Sequence, residues 1–211
     1  MLRGIAGIVA PPSGPALPCR WQQTDSGWQL PPIITTARKL AEAEGWDAVT
    51  TRRLSTEIEY SQPVLYKHFT GMEQIAEAVA IDGFGELADV IRAARSRAGT
   101  PSDALTRIAH AYLDFARDNP AVYDAMFTRA TTLRFAAQDT PPQLTAAFAE
   151  LRQAVGVVAD EHDADALTEL FWAALHGLVT LTRAGRLRPG YDSERLQLLV
   201  NEFTSRRETT S

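Results

Sequence analysis

Residues 61–70 read SQPVLYKHFT. Ser61, Gln62, Pro63, Tyr66, Lys67 and His68 bring hydroxyl, amide, phenol, ammonium and imidazole groups into one short stretch. The chemistry this set supports is recognition of a polyanion. A lysine neutralises phosphate, a tyrosine hydroxyl bonds the sugar-phosphate backbone, and a glutamine amide pairs with an adenine edge. Bond-making chemistry has no comparable support. There is no G-x-S-x-G, no paired carboxylates converge on an apolar helix, and the four histidines are scattered. No enzymatic activity is expected.

Short helices must position these groups. Leu65 and Phe69 are i,i+4 neighbours and would anchor a helix inward, leaving Gln62, Pro63, Tyr66 and Lys67 outward. Leu54 and Ile58 make the same pairing on a preceding helix. Thr50 and Ser61 are suited to cap these two helices. Only Glu59, Tyr60 and Ser61 link them, which fits a helix-turn-helix. The amino end of the second helix would then offer free amides and a positive dipole end to phosphate. An alternative leaves Tyr66 half-buried against its own bundle. Charge is not an advertisement. Residues 33–80 hold five cations (Arg38, Lys39, Arg52, Arg53, Lys67) against seven acids (Glu42, Glu44, Asp47, Glu57, Glu59, Glu73, Glu77). Position matters more than the sum, since Arg52, Arg53 and Lys67 fall near the reading surface, although Glu57 and Glu59 are close and should weaken non-specific binding.

Beyond this stretch the pattern is helical throughout. Ile33, Ala37, Leu40 and Ala41 share a face that Gly45 closes. Thr70-Gly-Met-Glu73 has capping-box spacing ahead of a long helix. Thr100-Pro101 opens another, and Asn119-Pro120 interrupts it. A short helix or helical loop is expected over 121–134, a helix after Thr140-Pro-Pro-Gln143, a long apolar helix over 164–184, and a last one capped by Asp192. No strand pattern and no internal repeat appears. The fold class is all-α, with about nine helices. Residues 1–32 carry six of the twelve prolines and read as a flexible tail. Trp21 and Trp28 are unusual there; docking of the two rings elsewhere on the molecule and a wrongly assigned translation start explain them equally well.

The 211 residues are enough for a well-buried core, and the formal charge is −5. Cys19 is the sole cysteine, so neither an intrachain disulfide nor a cysteine-based zinc site can form, which fits a cytoplasmic location. No apolar run approaches the ~20 residues of a membrane span, and Ile5–Ala10 is too short for a secretory core. Glu161-His162-Asp163-Ala-Asp165 has metal-ligand residue types, but its place before a helix suits acids at a dipole end. No metal or cofactor is expected.

Residues 37–69, ARKLAEAEGWDAVTTRRLSTEIEYSQPVLYKHF, resemble the amino-terminal domain of the tetracycline-repressor (TetR) family. Ala37, Leu40, Gly45, Trp46 and Thr50 match the first helix and its exit; Ser61, Leu65, Tyr66, His68 and Phe69 match the second motif. Trp172-Ala-Ala-Leu-His176-Gly177 and residues 112–127 resemble one carboxy-terminal subgroup of that family. The resemblance implies a homodimeric repressor on a palindromic double-stranded operator, released by a small-molecule effector. It implies a DNA-binding domain over 33–80 and a ligand-binding and dimerisation domain over 81–204; the closing residues 205–211 read as frayed. By position it assigns DNA contact to Thr50, Thr51, Arg52, Ser61, Gln62, Pro63, Tyr66, Lys67 and His68. Three residues depart from the family pattern: Glu59 where the turn usually has glycine, Met72 where a lysine often begins helix four, and Arg53 in place of a capping acid. Modest DNA affinity is expected in consequence.

In the larger half, Tyr112, Phe115, Met126, Phe127, Phe148, Phe171, Trp172 and His176 are spaced to face one interior. Such a set could line an aromatic pocket for an apolar or aromatic effector, or simply pack a core. His176 shares a face with Trp172, as a ligand contact or as a buried histidine bonded to a carbonyl or hydroxyl. The resemblance implies that the helices over 164–184 and 192–204, which are rich in apolar residues, supply a four-helix dimer interface.

Overall fold

The computed structural model describes residues 31–59, 61–129, 133 and 140–205. The tail reading therefore falls outside the described residues, save for Pro31 and Pro32. The described residues form nine α-helices and no strand. They are α1 (Pro31–Glu44), α2 (Thr51–Glu57), α3 (Gln62–His68), α4 (Met72–Ser96), α5 (Pro101–Asp118), α6 (Pro120–Asp124), α7 (Pro142–Val155), α8 (Ala164–Arg183) and α9 (Asp192–Thr204). A 3₁₀ turn at Trp46–Ala48 follows α1, and a π turn at Ala125–Arg129 continues α6.

Local chemistry explains most boundaries. Gly45 ends α1 with φ 84°, a conformation that favours glycine. The Thr50 hydroxyl accepts the Arg53 amide at 3.1 Å and starts α2. Thr100 does the same for Asp103 at the head of α5. Two caps differ from the sequence pattern. The Thr70–Glu73 box does not form: α4 starts at Met72 with Gly71 as its cap, and Gln74 reaches back to the Thr70 amide at 2.7 Å. The helix begins one residue later than the box requires, so its third position is Gln74. Asp192 is likewise the first helical residue rather than the cap, and it binds Arg195 at 2.8 Å.

The 25-residue α4 is the spine, about 37 Å long. It packs against α1, α5, the π turn and α7. Gly83 marks the tightest approach: a Cβ there would lie 2.4 Å from Val122 Cγ1 and 3.0 Å from Met126 Sδ. At the far end Glu150 of α7 is buried between two cations of α4, with Arg92 at 2.7 Å and Arg95 at 2.8 Å. Burial alone would push its carboxyl up, but the hydrogen bonds from Arg95 and Arg92 hold it below the usual range.

Candidate nucleic-acid interface

The candidate reading surface is built on α2 and α3. Leu54, Leu65 and Phe69 are buried at 0%, 1% and 4% exposure and fix both helices to the bundle. Ser61, Gln62, Pro63, Tyr66, Lys67 and His68 are all exposed, with Tyr66 at 54%. Half-burial of Tyr66 is thereby ruled out. Gln62, Pro63, Tyr66 and Lys67 share the outward face because they stand at i, i+1, i+4 and i+5 of one helix. Ser61 occupies the cap position of α3 without a side-chain hydrogen bond, so its hydroxyl is not consumed in capping. Thr50 and Arg52 are exposed beside this face, while Thr51 is half-buried.

The turn between α2 and α3 carries local strain. Glu59 has φ 57°, the left-handed region that the Cβ of an L-residue disfavours by roughly 1–2 kcal/mol. Met72 is half-buried against the core, so it supplies packing where a cation would supply charge. Arg53 is engaged elsewhere. Its guanidinium forks onto Glu44 of α1 at 2.7 and 2.8 Å and reaches Glu57 at 3.5 Å. The Glu44 hydrogen bond raises the arginine's pKa and lowers the glutamate's. The net cation of this surface therefore rests on Arg52 and Lys67.

A second set of side chains lies in the bundle. Tyr112 of α5, Tyr123 of α6, Phe127 of the π turn, and Trp172 and His176 of α8 converge there. Trp172 Nε1 donates to the Tyr112 hydroxyl at 3.1 Å; the Tyr112 and Tyr123 hydroxyls are 3.1 Å apart; Tyr123 lies 2.7 Å from His176 Nδ1. Phe127 packs at 4.6 Å on Tyr123, 4.8 Å on His176 and 6.1 Å on Trp172. The Arg183 guanidinium lies 4.7 Å over the Tyr123 ring and donates to the Ala116 carbonyl. Burial pushes the Tyr112 phenol up to about 12 and raises that of Tyr123 as well, so both stay protonated at neutral pH. Burial, then the neighbouring Arg183 charge, lowers the pKa of His176.

The sequence set does not all meet here. Phe171 turns to the opposite side and packs on Phe203 of α9 at 5.1 Å, because consecutive helix residues point about 100° apart. Phe115 and Met126 are buried nearby in α5 and the π turn, and Met126 faces Gly83. Phe148 is half-buried on α7, and among the described residues no ring contact joins it to the cluster. Tyr123 is the central residue that spacing missed. It follows Asn119-Pro120 in a segment of weak period, and only its aromatic character marked it. The metal-type motif is used otherwise. Asp163 caps α8 by accepting the Ala166 amide at 2.8 Å, Asp165 pairs with Arg152, and no three His, Cys, Asp or Glu among the described residues are placed to hold a metal.

The two regions are joined at α6. The Glu42 carboxylate accepts the amides of Ala121 and Val122, each at 3.0 Å. Buried Trp46 donates to the Ala121 carbonyl at 2.9 Å. Arg38 binds the Asn119 side chain at 2.8 Å and pairs with Glu86 of α4. A cleft of ≈ 380 Å³ lies beside this junction, with Trp46 on one wall and Arg129 between Asp47 and Asp124. No described helix is long and apolar enough to cross a membrane.

Two family descriptions match the chain: the tetR family of bacterial regulatory proteins over residues 33–79, and a tetracyclin repressor-like C-terminal domain over residues 105–202. An uncharacterized HTH-type transcriptional regulator of Mycobacterium tuberculosis is 31% identical over 72% of this chain and 69% of its own. A Rhodococcus sp. RHA1 protein of unknown function superposes with TM-score 0.68 at 22% identity, covering 87% of this chain and 98% of its own. The TetR-family regulator PfmR of Thermus thermophilus superposes with TM-score 0.57 at 18% identity, covering 82% and 97%. These last two likenesses bear on the fold; the matches over both parts of the chain carry the family. The chain belongs to the TetR family of helix-turn-helix transcriptional regulators.

Proposed function

We propose that the chain is a cytoplasmic, homodimeric repressor that binds a palindromic operator and is released by a small apolar or aromatic effector. Residues 33–80 are the DNA-binding domain and residues 81–204 the effector-binding and dimerisation domain. The observation that carries the DNA reading is α3 itself, pinned by Leu65 and Phe69 while Gln62, Pro63, Tyr66 and Lys67 stand in solvent. Gln62 and Pro63 at its amino end read base edges; Tyr66, Lys67 and His68 hold the backbone, with Thr50, Thr51 and Arg52 on the flanking phosphates.

Dimerisation is supported by an apolar stripe on α8. Leu170, Ala174, Gly177 and Leu181 recur at i, i+4, i+7 and i+11, and Leu170 and Leu181 are 63% and 39% exposed. Leu198 of α9 is 58% exposed. Small residues between leucines let a second pair of helices approach closely. The effector reading rests on the ring cluster of Tyr112, Tyr123, Phe127, Trp172 and His176. An aromatic compound competing for those faces shifts α6, and α6 is bonded directly to Glu42 and Trp46 of the DNA-binding domain.

Titration of labelled operator DNA with the protein, at several salt concentrations, tests this reading. Tight binding that weakens steeply with salt supports it. A second reading, a helical interaction module with weak DNA binding, is favoured by the Arg53–Glu44 pair and by Glu57 and Glu59 at the reading surface. Binding that never exceeds the non-specific level on any duplex selects that second reading.

A further inference from the structure

The hydrogen-bond chain in the ring cluster has only one workable direction. Trp172 Nε1–H can only donate, so the Tyr112 oxygen accepts from it. The Tyr112 hydrogen then goes to the Tyr123 oxygen, and the Tyr123 hydrogen to His176 Nδ1. His176 is therefore an acceptor at Nδ1, and its proton sits on Nε2. That nitrogen faces the Thr180 hydroxyl at 3.5 Å, whose own hydrogen goes to the His176 carbonyl at 2.9 Å. Reversing the chain fails at Tyr112. If Nδ1 carried a proton it would donate to Tyr123, Tyr123 would donate to Tyr112, and the Tyr112 oxygen would accept twice. The Tyr112 hydrogen would then have no acceptor in the chain, at a side chain with 0% exposure; were Tyr112 to donate to Tyr123 instead, the Tyr123 hydrogen would be the one left over, at 3% exposure.

The charges around the ring point the same way. Among the described residues, the titratable or charged groups facing His176 are Tyr123 from α6, Tyr112 of α5 behind it, and Arg183 of α8 itself. Phe127 of the π turn offers only a ring face at 4.8 Å. Both phenols are neutral, so none of these groups compensates an imidazolium, and Arg183 opposes one.

We propose that His176 is a proton-sensitive latch on α6: neutral, it holds Tyr123 against α8, and protonation at Nδ1 breaks that hold. The consequence reaches the DNA-binding domain because α6 is only five residues long and is bonded at its amino end to Glu42 and Trp46. The latch thus fixes one end of a short helix whose other end is carried by α1 and the turn after it. This device works without an effector and does not depend on the effector reading.

The test uses the full chain with nitrogen-15 histidine, together with His176→Asn. Asparagine keeps an acceptor near the Nδ1 position and does not titrate. The expected result at pH 7 is a neutral ring protonated at Nε2. As acid charges the ring, protection against amide exchange over residues 123–126, corrected for intrinsic rates, falls about tenfold, and His176→Asn shows no such fall. An Nδ1-protonated or charged ring at pH 7 overturns the proposal. So does charging without loss of protection, or an equal loss in His176→Asn. The ring's tautomer is read on the unaltered protein, so the proposal stays open to refutation if the variant does not fold.

Discussion

Glu42 and Ala121 are 79 positions apart, yet the Glu42 carboxylate accepts the Ala121 amide at 3.0 Å. The bond caps the amino end of α6 with a side chain from α1, so the cap of one helix belongs to a different part of the molecule. Replacing Glu42 by glutamine keeps one acceptor and loses the charge at a helix start. Thermal melting should show a loss of roughly 1 kcal/mol. Operator affinity should change as well, because one of the two bonds from Glu42 to the start of α6 would be lost; an unchanged affinity would mean that this bond plays no part in orienting the reading head.

The proposed recognition face is exposed, so it can be altered without harm to the fold. Tyr66→Ala with Lys67→Ala should leave helicity and melting within about 0.5 kcal/mol of the parent. Operator binding should be abolished, and the single Lys67→Ala change should reduce the salt dependence by about one counterion. Gel shift and circular dichroism on the same samples check both halves.

Glu59 offers a change of opposite sign. Its φ of 57° is relieved by Glu59→Gly, which should stabilise the protein by about 1 kcal/mol and raise Tm by roughly 2–4 °C. The change also removes a negative charge from beside α3, so operator affinity should rise. Calorimetry and binding titration measure the two effects separately.

Gly83 tests the packing between α4 and α6. A methyl group there meets Val122 Cγ1 at 2.4 Å, and valine is too short and stiff to swing away freely. Gly83→Ala should destabilise by about 1–3 kcal/mol through overpacking. Chemical denaturation gives the number, and a neutral result would show that α6 shifts without strain.

Glu150 sets a pH dependence. Its folded pKa is held below the unfolded value near 4.5 by Arg95 and Arg92. The stability it contributes is therefore complete above pH 4.5 and is lost as pH falls through its folded value. Glu150→Gln should lower stability at pH 7 by about 1–2 kcal/mol, discounted because Arg92 is half in solvent, and flatten the acid limb of the stability curve. Melting from pH 7 to pH 3 decides it.

Much of this was legible in residues alone, for reasons that are local. Leu65 and Phe69 set the face of α3, so the exposure of Gln62, Pro63, Tyr66 and Lys67 followed from helical geometry. Thr50 and Thr100 announced their helices because a hydroxyl three residues before an amide is a local signal. At Glu59 it is the resemblance, not a local signal, that marks the turn, and only the backbone shows the positive φ. The remaining contacts are non-local. Nothing near Glu42 says that it caps a helix 79 residues away, and nothing near Arg53 says that Glu44 will occupy it. Tyr123 stood in a segment broken by proline, where periodicity carries no information. Spacing alone groups Phe171 with Trp172, but consecutive positions of α8 point apart and Phe171 goes to Phe203.

Selection of binding sequences from random duplex DNA by the purified protein tests the central claim most directly. The account predicts enrichment of a palindrome with half-sites about one helical turn apart, eliminated by Tyr66→Ala with Lys67→Ala. Failure to enrich any sequence, or enrichment untouched by that double change, would contradict it.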